Sequence, residues 1–291
     1  RARPAEYFGK CEATVTPLGG LALLPAAAPA APGPVVVRPV AGTHLVTVPF
    51  RLTRTARLNV AVTGEAGQQG GGALDFGWIE DARTGRTVWS AEQATARPAG
   101  NARDNVRWEE ALALNAGDYL AGFLSDAAHG PDDWLDLPPF APDDWGLRLA
   151  PVAADAGALA TPPATGDIVR SPELLVRLVR PASGVSLTEE FQLPRQSRLQ
   201  VLCLGEGGRQ LFDFGAITDL ADGREVWRMT PAASRHAGGA GKNLRFEGEI
   251  TLPAGRYRAT YLTDGSHACG DWNAAPPPGA QDYGLTIRLA R

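Results

Sequence analysis

The sequence predicts an all-β chain: two tandem antiparallel β-sandwich (jelly-roll-like) domains from an internal duplication, with an extended N-terminal tail. Three observations carry this. The chain repeats itself, its apolar residues alternate with polar ones at period 2, and 34 glycines and 24 prolines in 291 residues mark many turns. The repeat is seen by shifting the sequence 138 positions, and it should be sought before any other pattern. Leu74-Asp75-Phe76-Gly77-Trp78-Ile79-Glu80-Asp81 then falls on Phe212-Asp213-Phe214-Gly215-Ala216-Ile217-Thr218-Asp219. Gly85-Arg86-Thr87-Val88-Trp89 falls on Gly223-Arg224-Glu225-Val226-Trp227, and the register holds without a gap to Leu149, with roughly 30 identities over about 76 positions.

Residues 1–34 form the expected tail. The run from Leu24 to Pro34 is alanine and proline with no apolar period, so it favours an extended path. Ordering such a segment costs about 1–2 kcal/mol per residue, which alanine and proline cannot offset from their own contacts. A partner protein is the expected support, with Tyr7, Phe8, Leu18, Leu21, Leu23 and Leu24 as apolar anchors, and the surface of the chain's own domains is the alternative. The first domain is expected over 35–150, with strands near 35–40, 44–52, 56–63, 73–81, 86–91, 105–114, 118–125 and 144–150. Leu58, Val60, Phe76, Val88, Tyr119 and Phe123 are its expected core. Thr84-Gly85 and Ala116-Gly117 supply turns. A proline-bearing linker follows over 151–167, and the second domain over 168–291 repeats the strand pattern. Cys203 takes the place that Val62 has in the first copy, which predicts a buried, inert thiol. That leaves Cys11 and Cys269 either as the one available disulfide pair or as free thiols.

Composition narrows the function classes. Lys+Arg total 28 against 32 Asp+Glu, a formal charge of −4, which does not suit a dedicated nucleic-acid binder. No stretch approaches the roughly 18–20 apolar residues of a membrane span. The few lysines beside many arginines and alanines reflect coding in a GC-rich bacterial genome and not function. The chain begins at Arg1, which is read as a processed or trimmed start, as removal of an export signal would leave.

The constellation Asp126…His129…Asp133-Trp134 recurs as Asp264…His267…Asp271-Trp272. Aspartate and histidine together can take a divalent metal, so Asp264, His267 and Asp271 are weak metal candidates. The same residues serve equally to satisfy loop backbone groups while the tryptophan packs the loop down, and this bracing role is the expectation. No Gly-x-Ser-x-Gly elbow is present, Gly70-Gly71-Gly72 opens no helix, and Cys-x-x-Cys is absent. Glu109-Glu110 and Glu189-Glu190 are adjacent on strands and point to opposite faces, so neither pair makes an acid/base site. No catalytic residue and no cofactor is expected. Trp134, Leu135, Leu137 and Phe140 form an apolar loop with few counterparts in the second copy, which marks an expected contact surface. The copies also differ in charge, about −5 over 35–150 and +2 over 168–291.

The run Leu252-Pro253-Ala254-Gly255-Arg256-Tyr257-Arg258-Ala259-Thr260-Tyr261 looks like the closing hairpin of accessory β-sandwich domains in secreted bacterial proteins. Continued through Asp264-Gly265-Ser266-His267 to Gly270-Asp271-Trp272-Asn273-Ala274-Ala275-Pro276-Pro277, it resembles a little-characterised bacterial extracytoplasmic domain. The resemblance covers both copies and implies a sandwich fold and a periplasmic or cell-surface location, with no activity to transfer. The expectation is a non-catalytic binding or scaffold protein, an accessory subunit of a larger membrane-associated assembly, with photosynthetic or respiratory complexes as candidate hosts. A carbohydrate-binding module, or an accessory region of a secreted hydrolase, is the alternative.

Overall fold

The computed structural model describes residues 33–39, 45–67, 72–100, 102–125, 129–131, 133–134, 136–162 and 168–290. Tyr7, Phe8, Leu18, Leu21, Leu23, Leu24 and Leu135 lie outside them, as do residues 1–32 of the expected tail, Cys11 among them.

The described chain is all-β, with antiparallel sheets and only single turns of 3-10 helix between strands. Among the described residues no helix is long and apolar enough to cross a membrane. Up to residue 162 the strands are β1 (Val35–Val37), β2 (Leu45–Leu52), β3 (Ala56–Glu65), β4 (Phe76–Asp81), β5 (Arg86–Ser90), β6 (Ala96–Pro98), β7 (Asn105–Leu114), β8 (Gly117–Leu124), β9 (His129–Gly130), β10 (Asp133–Trp134), β11 (Gly146–Pro151) and β12 (Leu159–Ala160). Eight of these coincide with the strands expected from period-2 alternation. Ten of the twelve form two five-stranded sheets, β1-β11-β3-β7-β6 and β12-β2-β8-β4-β5, and β9 pairs with β10 alone.

Alternation explains why these sheets face each other. Leu58, Val60 and Val62 on β3 and Leu147 and Leu149 on β11 turn to the same interior as Phe50, Ile79, Tyr119 and Phe123 on the second sheet, whereas Phe76, expected in that core, and Trp78 are buried on the other face of β4, the one that carries Glu80. One apolar cluster thus draws on both sheets, which is a sandwich-like packing. Val88 departs from the expected core and is 39% exposed. The register between β4 and β5 shifts between Ile79 and Glu80. A slip of one residue reverses the facing, so Trp89 and Ser90 are buried in its stead.

From residue 168 the strands are β13 (Leu174–Val179), β14 (Ser186–Leu193), β15 (Ser197–Gly207), β16 (Leu211–Asp219), β17 (Glu225–Arg228), β18 (Arg235–His236), β19 (Asn243–Leu252), β20 (Gly255–Leu262) and β21 (Gly284–Leu289). Here β15 and β16 pair at one end, so all nine join in a single, nearly closed sheet along β13-β21-β15-β16-β20-β14, with β17 on β16 and β18 through β19 on β15. Its interior holds Val176, Leu199, Val201, Cys203, Ile217, Tyr257, Tyr261, Leu285 and Ile287. Cys203 is fully buried between Phe246 and Leu285, and burial pushes its thiol up to about 12. Cys203 and Cys269 are both free thiols.

The two parts of the chain share local devices at matching positions. Tyr119 Oη donates to Asn115 O at 2.9 Å, and Tyr257 Oη donates to Pro253 O at 3.1 Å. Phe50 stacks on Tyr119, and Phe191 on Tyr257.

Candidate functional site

The recurring Asp/His/Trp motif builds a brace. Asn243 opens β19 and is buried, its Nδ2 donating to Gly238 O and Ala275 O at 2.9 Å each. Its Oδ1 therefore accepts from His267 Nε2 at 2.6 Å. His267 is buried with φ +60, and its backbone N–H donates to Asp271 O at 2.8 Å. Burial, then the nearby Lys242 ammonium, lowers the imidazole to about 4, so it is neutral near pH 7. Trp272 meets His267 and Tyr283 edge to face. In the first part Asn105, His129, Trp134 and Trp145 repeat the set, with His129 Nε2 3.0 Å from Asn105 Oδ1. The same chemistry at two matching loops supports bracing. The asparagines, 24 residues before each histidine, were not expected from sequence. Their signal was that Asn105 and Asn243 fall together in the 138-residue shift.

The metal candidates are not brought together. His267 is engaged by asparagines, and Asp271 Oδ2 accepts from Ser183 Oγ at 3.0 Å. Asp264 joins a different group, with Glu206 and Asp213, whose ligand-type atoms lie within 4.8 Å of one another. Most oxygens of that group are engaged, Glu206 Oε2 excepted, which is buried without a hydrogen-bond partner among the described residues. Lys242 Nζ stands 2.8 Å from Glu206, while the Asp264 N–H and the Tyr283 hydroxyl each donate to Asp213 at 2.8 Å. Burial, only partly offset by those hydrogen bonds, raises the Asp213 carboxyl to about 6. The paired carboxylates behave as expected of strand neighbours. Glu189 reaches Arg170, whereas Glu190 reaches Arg256 and Arg258.

The expected contact loop splits in two. Trp134 belongs to the brace and packs on the first core, because its ring is the lid over His129 and Trp145. Leu137 and Phe140 point outward, 55% and 74% exposed. Their backbone is nonetheless clamped. Asn105 Nδ2 donates to Leu137 O, and the Phe140 N–H to Ala99 O, both at 2.7 Å. Gly100 bridges Pro139, and a Cβ on Gly100 would lie 2.5 Å from the Pro139 Cα. The loop presents two apolar side chains on a fixed frame.

A seam not foreseen from sequence joins the first part of the chain to the second. Glu80, buried on β4, accepts from Arg177 Nη2 at 2.7 Å and Arg180 Nη1 at 2.9 Å. Burial alone would raise its carboxyl, but Arg180 and Arg177 outweigh that and hold it below the usual range. Arg180 also lies over the Trp78 ring, 5.3 Å from its centre. Glu92 accepts from the Gly279 N–H at 2.8 Å, and Arg288 donates to Thr84 O and to Gly85 O. Gly85 has φ +61, and a Cβ there would meet Arg177 Cδ at 2.6 Å, so the position requires glycine twice over. Beside the seam opens a cleft of about 840 Å³. Its floor is the outer face of β13, β21, β15 and β19, and its wall is the β4–β5 turn with the 3-10 turn Ala91–Gln93.

No family model and no curated protein matches the chain. Among solved structures, one described as PNGF-II in a C2 space group is similar, with a TM-score of 0.29 and 10% identity. The alignment covers 88% of this chain, which spans only 61% of that one, a likeness too slight to bear on function.

Proposed function

We propose that the protein is a non-catalytic, extracytoplasmic binding or scaffold protein that docks onto other subunits of a membrane-associated assembly. The observation that carries this is the clamped loop with Leu137 and Phe140 in solvent. Burying each side chain on a partner is worth about 1.5–3 kcal/mol, and the prior fixing of the loop backbone leaves little ordering cost to subtract. We further infer that the chain arose by tandem duplication, as domains 35–150 and 168–291. The shared braces and the ungapped sequence shift support it. After duplication only the first copy acquired Leu137 and Phe140, as befits a surface specific to one neighbour. The 1–34 tail serves as a second anchor.

The test is co-purification from native membranes, with partners identified by mass spectrometry. Leu137→Ser with Phe140→Ser is expected to melt within about 0.5 kcal/mol of the parent, since exposed positions tolerate change, yet to lose its partner at least tenfold. Full occupancy by the double variant would refute the loop as a docking surface, and full occupancy after deletion of 1–34 would refute the tail.

A further inference from the structure

We propose that the cleft beside the seam binds an anionic saccharide, with Arg86 and Arg288 taking its carboxylate or sulfate. Four arginines line the cleft, and their partners differ. Arg245 is neutralised by Glu247 at 3.0 Å, and Arg177 by Glu80 at 2.7 Å and Asp282 at 3.4 Å. Arg288 binds only neutral carbonyls, those of Thr84 and Gly85. Arg86 is exposed and, among the described residues, makes neither an ion pair nor a side-chain hydrogen bond. The two guanidinium groups stand close enough to repel each other, and burial followed by the charges of Arg86 and Arg177 lowers Arg288 to about 10. A carboxylate would relieve that repulsion, and among the described residues none stands within ion-pair distance of either group. A ligand oxyanion would do so, with the fork of N–H donors that guanidinium presents.

Of the remaining lining, Glu92 is held by the Ala73 and Gly279 N–H groups and Glu249 faces Arg198 at 3.7 Å, and the uncharged residues select the body that carries the anion. Gln93 and Gln200 are exposed and make no side-chain hydrogen bond within the described chain, and Thr87 and Thr286 lie near them in the lining. Side-chain amides both donate and accept, as hydroxyl groups do, so a polyhydroxylated ligand can satisfy each in either role. The apolar side chains that border the cleft are Leu202 and Pro278, with Val201 turned to the interior of the sheet. The volume falls within the range of small-molecule sites, about 300–1,000 Å³.

Titration calorimetry of the full chain tests this with four probes: trigalacturonate, a sulfated chondroitin trisaccharide, neutral maltotriose and inorganic sulfate. At least one anionic trisaccharide is expected to bind tenfold or more tightly than maltotriose, and to weaken as salt is raised. Arg86→Ala should cut that affinity at least tenfold and Gln200→Ala about threefold, while Arg195→Ala, away from the cleft, changes nothing. Equal affinity for neutral and anionic sugars would overturn the anion site. Sulfate binding as tightly as the saccharides would overturn the hydroxylated body. No binding at millimolar concentration by variants and parent alike would overturn both.

Discussion

His267 shows how much one side chain can carry in a loop. Its ring closes a path from Asn243 on β19 to Trp272 and Tyr283. Removing it as His267→Ala leaves Asn243 Oδ1 buried without its donor, at a cost of about 1–3 kcal/mol in chemical denaturation. The pH dependence has a definite sign. An imidazole lowered from 6.5 to about 4 on folding contributes stability that is whole above pH 6.5 and drains away as pH falls toward 4. Asp213, raised from 3.8 to about 6, acts in the opposite sense: its contribution is whole below 3.8 and lost as pH rises through 6. The two slopes therefore oppose each other between about pH 4 and 6. In an Asp213→Asn background, thermal melts at pH 7, 5.5 and 4.5 should show stability falling by up to about 3 kcal/mol. Adding His267→Gln should flatten that fall. A profile unchanged by His267→Gln would mean the ring is not held neutral. The brace was legible in the sequence because the 138-residue shift places His129 on His267 and Trp134 on Trp272. Its asparagines were not, because 24 residues and a strand lie between partners that meet only in the fold.

At the scale of the element, β5 is the instructive strand. Its sequence, Arg86-Thr87-Val88-Trp89-Ser90, offers two apolar neighbours that cannot both face inward. The register shift opposite Glu80 decides for Trp89, whose Nε1 donates to Glu110 Oε2 at 2.7 Å. Trp89→Ala should cost about 3–5 kcal/mol in urea unfolding. Val88→Thr should stay within about 0.5 kcal/mol. A larger loss for Val88→Thr than for Trp89→Ala would mean the bulge is misplaced. Strand positions were readable because alternation is a local property, and Cys203 was placed rightly from its match to Val62 alone. The bulge was not, because the extra residue that shifts a strand looks like any other until its partner is paired.

The whole molecule is coupled through the seam. Glu80 lies 97 positions from Arg177 and 100 from Arg180, so no motif spacing could announce their contact. Once formed, that contact makes each part of the chain depend on the other. Glu80→Ala would leave the buried Arg180 guanidinium without a counter-charge and Arg177 with Asp282 alone at 3.4 Å, at about 3–5 kcal/mol. The parent should show a single calorimetric transition, and the variant a lower one that separates into two. Two resolved transitions in the parent would show the seam to be too weak to couple the parts. Because the Glu80 carboxyl is held below its usual 4.5, its contribution persists at neutral pH and is lost as pH falls below that value. Acid should therefore loosen the parts before it unfolds either.

Two look-alike stretches in one chain create a hazard during synthesis, when a strand can enter the wrong neighbour, its own or that of another molecule. β4 and β16 are the obvious candidates for such an exchange, since their sequences align along the repeat. The seam penalises it. Where β4 carries Glu80, β16 carries Thr218, and a hydroxyl cannot neutralise Arg177 and Arg180. A mis-threaded assembly would trap Arg180 without a counter-charge and leave Arg177 with Asp282 alone, and only the correct partition of strands escapes that cost. The ion cluster thus acts as a proofreader of chain assembly, and its loss should appear first as swapped dimers and aggregates in newly made protein.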